Sequence, residues 1–129
     1  MYRFTNNDED GILEIRVEGF MSLSAFPAYA HEFRQHVREA RLCGRPLRVL
    51  IDISDSEILP ADVADRISRL EHELLTSALD RVAVVTPSAL RALQARHIAT
   101  SGRTQTFASA RPARQWLIAF AHNPLRRAA

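Results

Sequence analysis

The stretch Leu47-Arg48-Val49-Leu50-Ile51-Asp52-Ile53-Ser54 decides the fold. It is a nearly unbroken apolar run that ends in small polar and acidic residues. A strand this apolar needs cover on both faces, which makes it a central strand with helices packed over it. In open α/β sheets, ligands and switches gather beyond the carboxyl ends of such strands. The segment Asp52 to Asp65 is therefore the first place to look for function.

Upstream, Tyr2 to Phe4 and Ile12 to Val17 read as short strands around the polar turn Asn6-Asn7-Asp8-Glu9-Asp10-Gly11. Leu13, Ile15 and Val17 alternate with Glu14, Arg16 and Glu18, the pattern of a strand with one wet face. The pair predicts an antiparallel hairpin ended by Gly19. Ser24 is the expected cap of a first helix, with Pro27 in its first turn. Phe26, Ala30, Phe33, Val37 and Ala40 recur at helical spacing and form the buried stripe, and Gly44 and Pro46 stop the helix.

Downstream, Pro60 suits a first helical position, and Val63, Ile67, Leu70 and Leu74 line one face of a second helix. Arg81 to Thr86 is another apolar strand. Pro87 opens a third helix to about Thr100, with Leu90, Leu93 and Ile98 as its apolar positions and Gly102 as its end. Thr104 to Phe107 is the last strand. Ser109 caps a fourth helix that turns Ala113, Trp116, Leu117 and Phe120 inward and ends at Asn123-Pro124. The order β-β-α-β-α-β-α-β-α predicts an α/β fold: a mixed, mostly parallel sheet of about five strands with four helices and right-handed crossovers. The 129 residues read as a single domain, with no repeat or linker.

Composition narrows the function classes. Hydrophobic content of 47% and charged content of 25% are those of an ordinary globular domain. No apolar run approaches the ~20 residues of a membrane span, and the N-terminus has no signal-peptide core, so a cytoplasmic location is expected. One cysteine, Cys43, excludes an internal disulfide and a multi-cysteine metal site. All seventeen basic residues are arginine, offset by fifteen acids, without the clustered basic footprint of a nucleic-acid binder.

The whole pattern resembles the STAS superfold of bacterial anti-sigma-factor antagonists, and more closely the SpoIIAA-like group of stand-alone, STAS/CRAL-TRIO-related domains. The resemblance rests on Gly11-Ile12-Leu13-Glu14-Ile15, on Leu47 to Asp52, on Asp80-Arg81-Val82-Ala83-Val84-Val85, and on Phe107-Ala108-Ser109-Ala110-Arg111-Pro112-Ala113-Arg114-Gln115-Trp116-Leu117. It implies a non-enzymatic domain without cofactor. True antagonists are switched by phosphorylation of a serine in Asp-Ser-Ser-Gly at the start of the second helix. Here that region reads Ser54-Asp55-Ser56-Glu57-Ile58-Leu59-Pro60-Ala61-Asp62, which departs from the motif. The SpoIIAA-like group is instead associated with apolar pockets and lipid or membrane contact.

Asp52, Asp55, Glu57, Asp62 and Asp65 form an acidic cluster that could take a divalent cation. Helix capping and charge at a helix N-terminus account for it more simply. The five histidines, His31, His36, His72, His97 and His122, have no ligand-pair spacing, and no metal site is expected. Cys43 sits at a helix C-terminus, where the dipole disfavours a thiolate, and reads as a small apolar residue. Two surfaces remain. Phe26, Tyr29, Arg34 and Arg38 on the first helix, with Trp116, form a candidate ligand or membrane surface. Asp52, Ser54, Asp55, Ser56 and Asp62 form a candidate partner or switch loop. The expectation is a binding or regulatory module for a small apolar ligand or lipid, with peripheral membrane contact. The alternative is an antagonist-type module that binds a regulatory protein through Ser54 to Asp62. No nucleic-acid partner is expected, and the oligomeric state, a homodimer included, is left open.

Overall fold

The computed structural model describes residues 1–99 and 102–122, with side chains through Ala119. Its elements follow the expected order: β1 (Tyr2–Asn7), β2 (Ile12–Gly19), α1 (Phe26–Leu42), β3 (Arg48–Ser56), α2 (Ala61–Leu74), β4 (Arg81–Val85), α3 (Ala89–Ile98), β5 (Thr104–Phe107) and α4 (Ala110–His122). The five strands form one sheet in the order β1-β2-β3-β4-β5. β1 and β2 are antiparallel, with Tyr2 opposite Val17 and Asn7 opposite Ile12. The other neighbours are parallel.

This sequential order fixes where the helices lie. Each crossover from β2 to β5 moves one strand in the same direction. Right-handed connections then put α1, α2 and α3 on one face and leave α4 for the other. The core divides accordingly. Leu13, Ile15, Val17, Val49, Ile51, Val82 and Val84 pack with Phe33, Val37, Val63 and Leu70 of α1 and α2. Ile12, Leu50, Ala83 and Val85, the strand residues of opposite parity, pack with Ala113 and Leu117 of α4. Leu47 to Ser54 is thus central and covered on both sides. β2 keeps the expected wet face at Arg16 and Glu18, which are exposed, while at its start Ile12 is buried and the partly exposed Glu14 pairs with Arg114 of α4.

Several local expectations are corrected. Ser24 does not cap α1; Ala25 occupies that position, and its N–H is taken by Ser22 Oγ at 3.2 Å. Pro60 is the residue before α2 rather than its first helical residue. β3 runs to Ser56, so backbone pairing with β2 (Glu18 with Asp55, Gly19 with Ser56) claims part of the expected loop. Leu90 and Leu93 of α3 are 61% and 49% exposed. The face turned inward is instead Arg91, Gln94, Ala95 and Ile98, spaced i, i+3, i+4 and i+7, and Ser88 Oγ caps the helix by accepting from Arg91 N at 3.3 Å. Thr100, the side chain of Phe120 and Asn123 to Ala129 lie outside the described residues.

Gly44 ends α1 as expected. It lies at φ +69°, donates to Arg41 O, and lets Arg45 N reach Ala40 O at 2.9 Å, a Schellman closure. Just beyond, the fully buried Asp80 ties three elements. Its carboxylate accepts from Arg41 Nη1 and Nη2 at 2.9 and 2.6 Å, from Leu47 N at 2.8 Å and from Ser77 N at 2.9 Å. Burial alone would push this carboxyl up. The bonds from Arg41 and the two amides outweigh it and hold the carboxyl below the usual carboxylate range.

Candidate functional site

Beneath α1, α2 and α3 lies a cavity of about 60 Å³. Val17, Ile51, Ile53 and Val84 form its floor on the sheet, and Ile67, Ala95 and Ile98 form much of its roof. Val17 sits where the β2–β3 register shifts between Arg16 and Glu18. The lining is mainly apolar, and its polar members are Tyr29, Ser56, Glu71, Arg91, Gln94 and Thr104.

The polar groups are unevenly satisfied. Arg91 is 8% exposed. Its Nη2 donates to Ser56 Oγ at 2.5 Å, while its Nε is buried without a hydrogen-bond partner. Burial pushes the guanidinium down, and the charge of Glu57 opposes that only in part. Thr104 Oγ1 is also buried and unpartnered. Gln94 is satisfied twice: its Oε1 accepts from Leu59 N at 3.1 Å, and its Nε2 donates to Leu59 O at 2.9 Å. This clamp holds the segment 57–60 against α3. On the α2 side, burial pushes the Glu71 carboxyl up to about 7. The Tyr29 phenol is likewise pushed up by burial and then by the neighbouring Glu71.

The residues expected to form a ligand or membrane surface are not brought together. Phe26 and Tyr29 are buried, 9% and 3% exposed. Tyr29 lies among Tyr2, Phe4, Phe26 and Phe33, with ring centroids 5.4–6.3 Å away. Once the β1–β2 hairpin covers α1, its aromatic residues become core. Arg34 holds Glu73 of α2 through Nε at 2.7 Å and Nη2 at 3.0 Å, and Arg38 is exposed. Trp116 lies on the other side of the sheet, against Phe107. Of these five residues, Tyr29 alone lines the cavity.

The expected switch loop is also divided. Asp52 belongs to the α4 side, in a polar cleft with Arg3, Glu14, Arg16 and Arg114, and its Oδ1 accepts from Ser54 N. Asp55 is exposed and pairs with Arg16 at 2.7 Å. Asp62 accepts from Val63 N at the start of α2. Ser56 is buried and faces the cavity, which leaves Ser54 as the exposed serine. Among the described residues no group of three or more His, Cys, Asp or Glu is placed to hold a metal ion. Cys43 is exposed rather than packed.

Arg91, Glu71, Gln94 and Thr104 escape the sequence reading. Glu71 stands in Glu71-His72-Glu73, which reads as a wet helix turn. Arg91 lies between Leu90 and Leu93, the residues that periodicity assigns to the core. The signal that could have found it is spacing: Arg91, Gln94, Ala95 and Ile98 stand at i, i+3, i+4 and i+7 on one helix face.

A mixed five-stranded sheet with three helices over one face and one over the other defines an α/β module of the STAS type. The SpoIIAA-like family model matches residues 12–118, and the chain belongs to that family. Among solved structures, an uncharacterised protein of the DUF3478 family from Shewanella loihica PV-4, described as having a SpoIIAA-like fold, matches with a TM-score of 0.60. The two chains are 21% identical, over 91% of this chain and 92% of that one, so the likeness is one of fold. No curated protein matches this chain. Among the described residues no helix is long and apolar enough to cross a membrane.

Proposed function

We propose that this domain is a cytoplasmic, non-enzymatic binding module that holds a small apolar ligand in the cavity under α1, α2 and α3. The observation that carries this reading is the mainly apolar cavity itself, set beneath the helices of the parallel strands. Its size decides between ligand classes. An apolar cavity of ~150 Å³ takes a benzene, so about 60 Å³ suits a small group rather than a long acyl chain. A long-chain lipid would require the segment 57–60 to leave α3, breaking both Gln94 bonds.

Binding rather than turnover is supported by the state of Ser56. Its hydroxyl accepts from a guanidinium, which holds it as an acceptor, whereas nucleophilic activation needs a base to take its proton. Exchange of an apolar ligand is supported by the flanking segments. Phe20 and Ile58, next in sequence to the cavity-lining Met21 and Leu59, are 54% and 42% exposed. They offer an apolar contact for a surface or carrier that delivers the ligand.

Native mass spectrometry of the protein purified from its own cells, followed by denaturing release, tests the reading. A stoichiometric small molecule, released on unfolding, is the expected result. A bare chain, or a chain carrying a second protein and no small molecule, overturns it and favours partner binding.

A further inference from the structure

We infer that the ligand is a short apolar monocarboxylic acid whose carboxylate is held by Arg91. The inference rests on the cavity being a binding site and names what it selects. A buried guanidinium is costly unless paired, yet Arg91 is 8% exposed and its Nη2 meets only the neutral Ser56 hydroxyl. Among the described residues no carboxylate forms an ion pair with it.

The geometry of the unmet atoms points to the missing partner. Nε and Nη2 form one side of the guanidinium, the two-pronged edge that matches a carboxylate. The same chain shows that edge in use: Arg34 holds both oxygens of Glu73 through its Nε and Nη2. In Arg91, Nη2 bonds a hydroxyl and Nε bonds nothing. Thr104 Oγ1, buried and unpartnered on the same cavity, is a second group available to the ligand's head. The apolar lining takes the hydrocarbon. A carboxylate brings one negative charge to one cation, whereas a phosphate monoester brings about −1.5 to −2 and leaves charge uncompensated among apolar side chains.

The test is an NMR titration of the ¹⁵N-labelled full chain with propanoate, 1-propanol and propyl phosphate, short enough for the cavity. The amides of Ser56, Leu59 and Gln94 and the Arg91 Nε–H are followed. The expected result is propanoate binding roughly tenfold or more tighter than 1-propanol, as for a charge-assisted hydrogen bond, with a shift of the Arg91 Nε–H. In Arg91→Met that preference collapses while 1-propanol still binds, which also reports that the variant is folded. If the variant does not fold, the wild-type ratio decides alone. Equal affinity for propanoate and 1-propanol overturns the carboxylate assignment and leaves the cavity reading standing. Tighter binding of propyl phosphate overturns it in favour of a phosphate head. If none of the three probes shifts the cavity residues, both the assignment and the cavity reading fall.

Discussion

Glu71 is the residue whose environment departs furthest from its sequence context. Between His72 and Arg66 to Arg69 on α2 it looks like a surface acid, yet burial raises its carboxyl to about 7. The sign of the consequence follows by linkage. The folded state holds this proton more tightly than the unfolded chain, so its contribution is present in full below the unfolded pKa near 4.5 and is lost as pH rises through about 7. Glu71→Gln therefore gains on the wild type between pH 5 and pH 8, by at most roughly 3 kcal/mol at about 1.36 kcal/mol per pH unit. Urea denaturation of both proteins at the two pH values checks this, and a difference independent of pH would contradict it. Arg91 is the complementary case: a cation amid apolar neighbours gives no signal to helix periodicity, which weighs only apolar residues.

Among the elements, the apolar strands were legible because alternation and continuous apolar runs report burial directly, and β3 and β4 lie where their residues place them. The end of α1 was legible too, since Gly44 can adopt φ +69° without a side-chain clash. Helix phase was not. α3 is ten residues long with Leu90 and Leu93 exposed, and its inward face is Arg91, Gln94, Ala95 and Ile98 rather than its leucines. Asp80 has no local signal beyond its place before an apolar strand, yet it joins the ends of α1, β3 and β4. Asp80→Asn keeps the shape but removes the charge that faces Arg41. Breaking a buried pair costs ~3–5 kcal/mol. Because Arg41 retains partial access to water, the expected loss is near the lower end, about 3 kcal/mol. Chemical denaturation measures it, and a loss under about 1 kcal/mol would show that the three-element junction contributes no more than a surface pair.

At the scale of the molecule, sequential strand order leaves two separate apolar layers, one under three helices and one under α4. Leu70 and Leu117, 2% and 0% exposed, belong to different layers and share no cluster. Each Leu→Ala change is expected to cost about 2–5 kcal/mol, and the double variant the sum to within about 0.5 kcal/mol. A larger discrepancy in denaturation midpoints would mean that the sheet couples its two faces. The amino-acid sequence by itself determined the element order, the mixed sheet and the central, doubly covered β3, because those follow from local periodicity and chain connectivity. Tertiary structure alone decided the site. Packing of the hairpin over α1 turned Tyr29 into core, beside Phe26, which its helical spacing with Ala30 and Phe33 already placed on the buried stripe. Pairing of β3 with β2 buried Ser56, and the phase of α3 carried Arg91 to it across thirty-five residues of chain. Such meetings of distant side chains have no trace in local pattern, since they depend on which faces the packed helices present to the sheet.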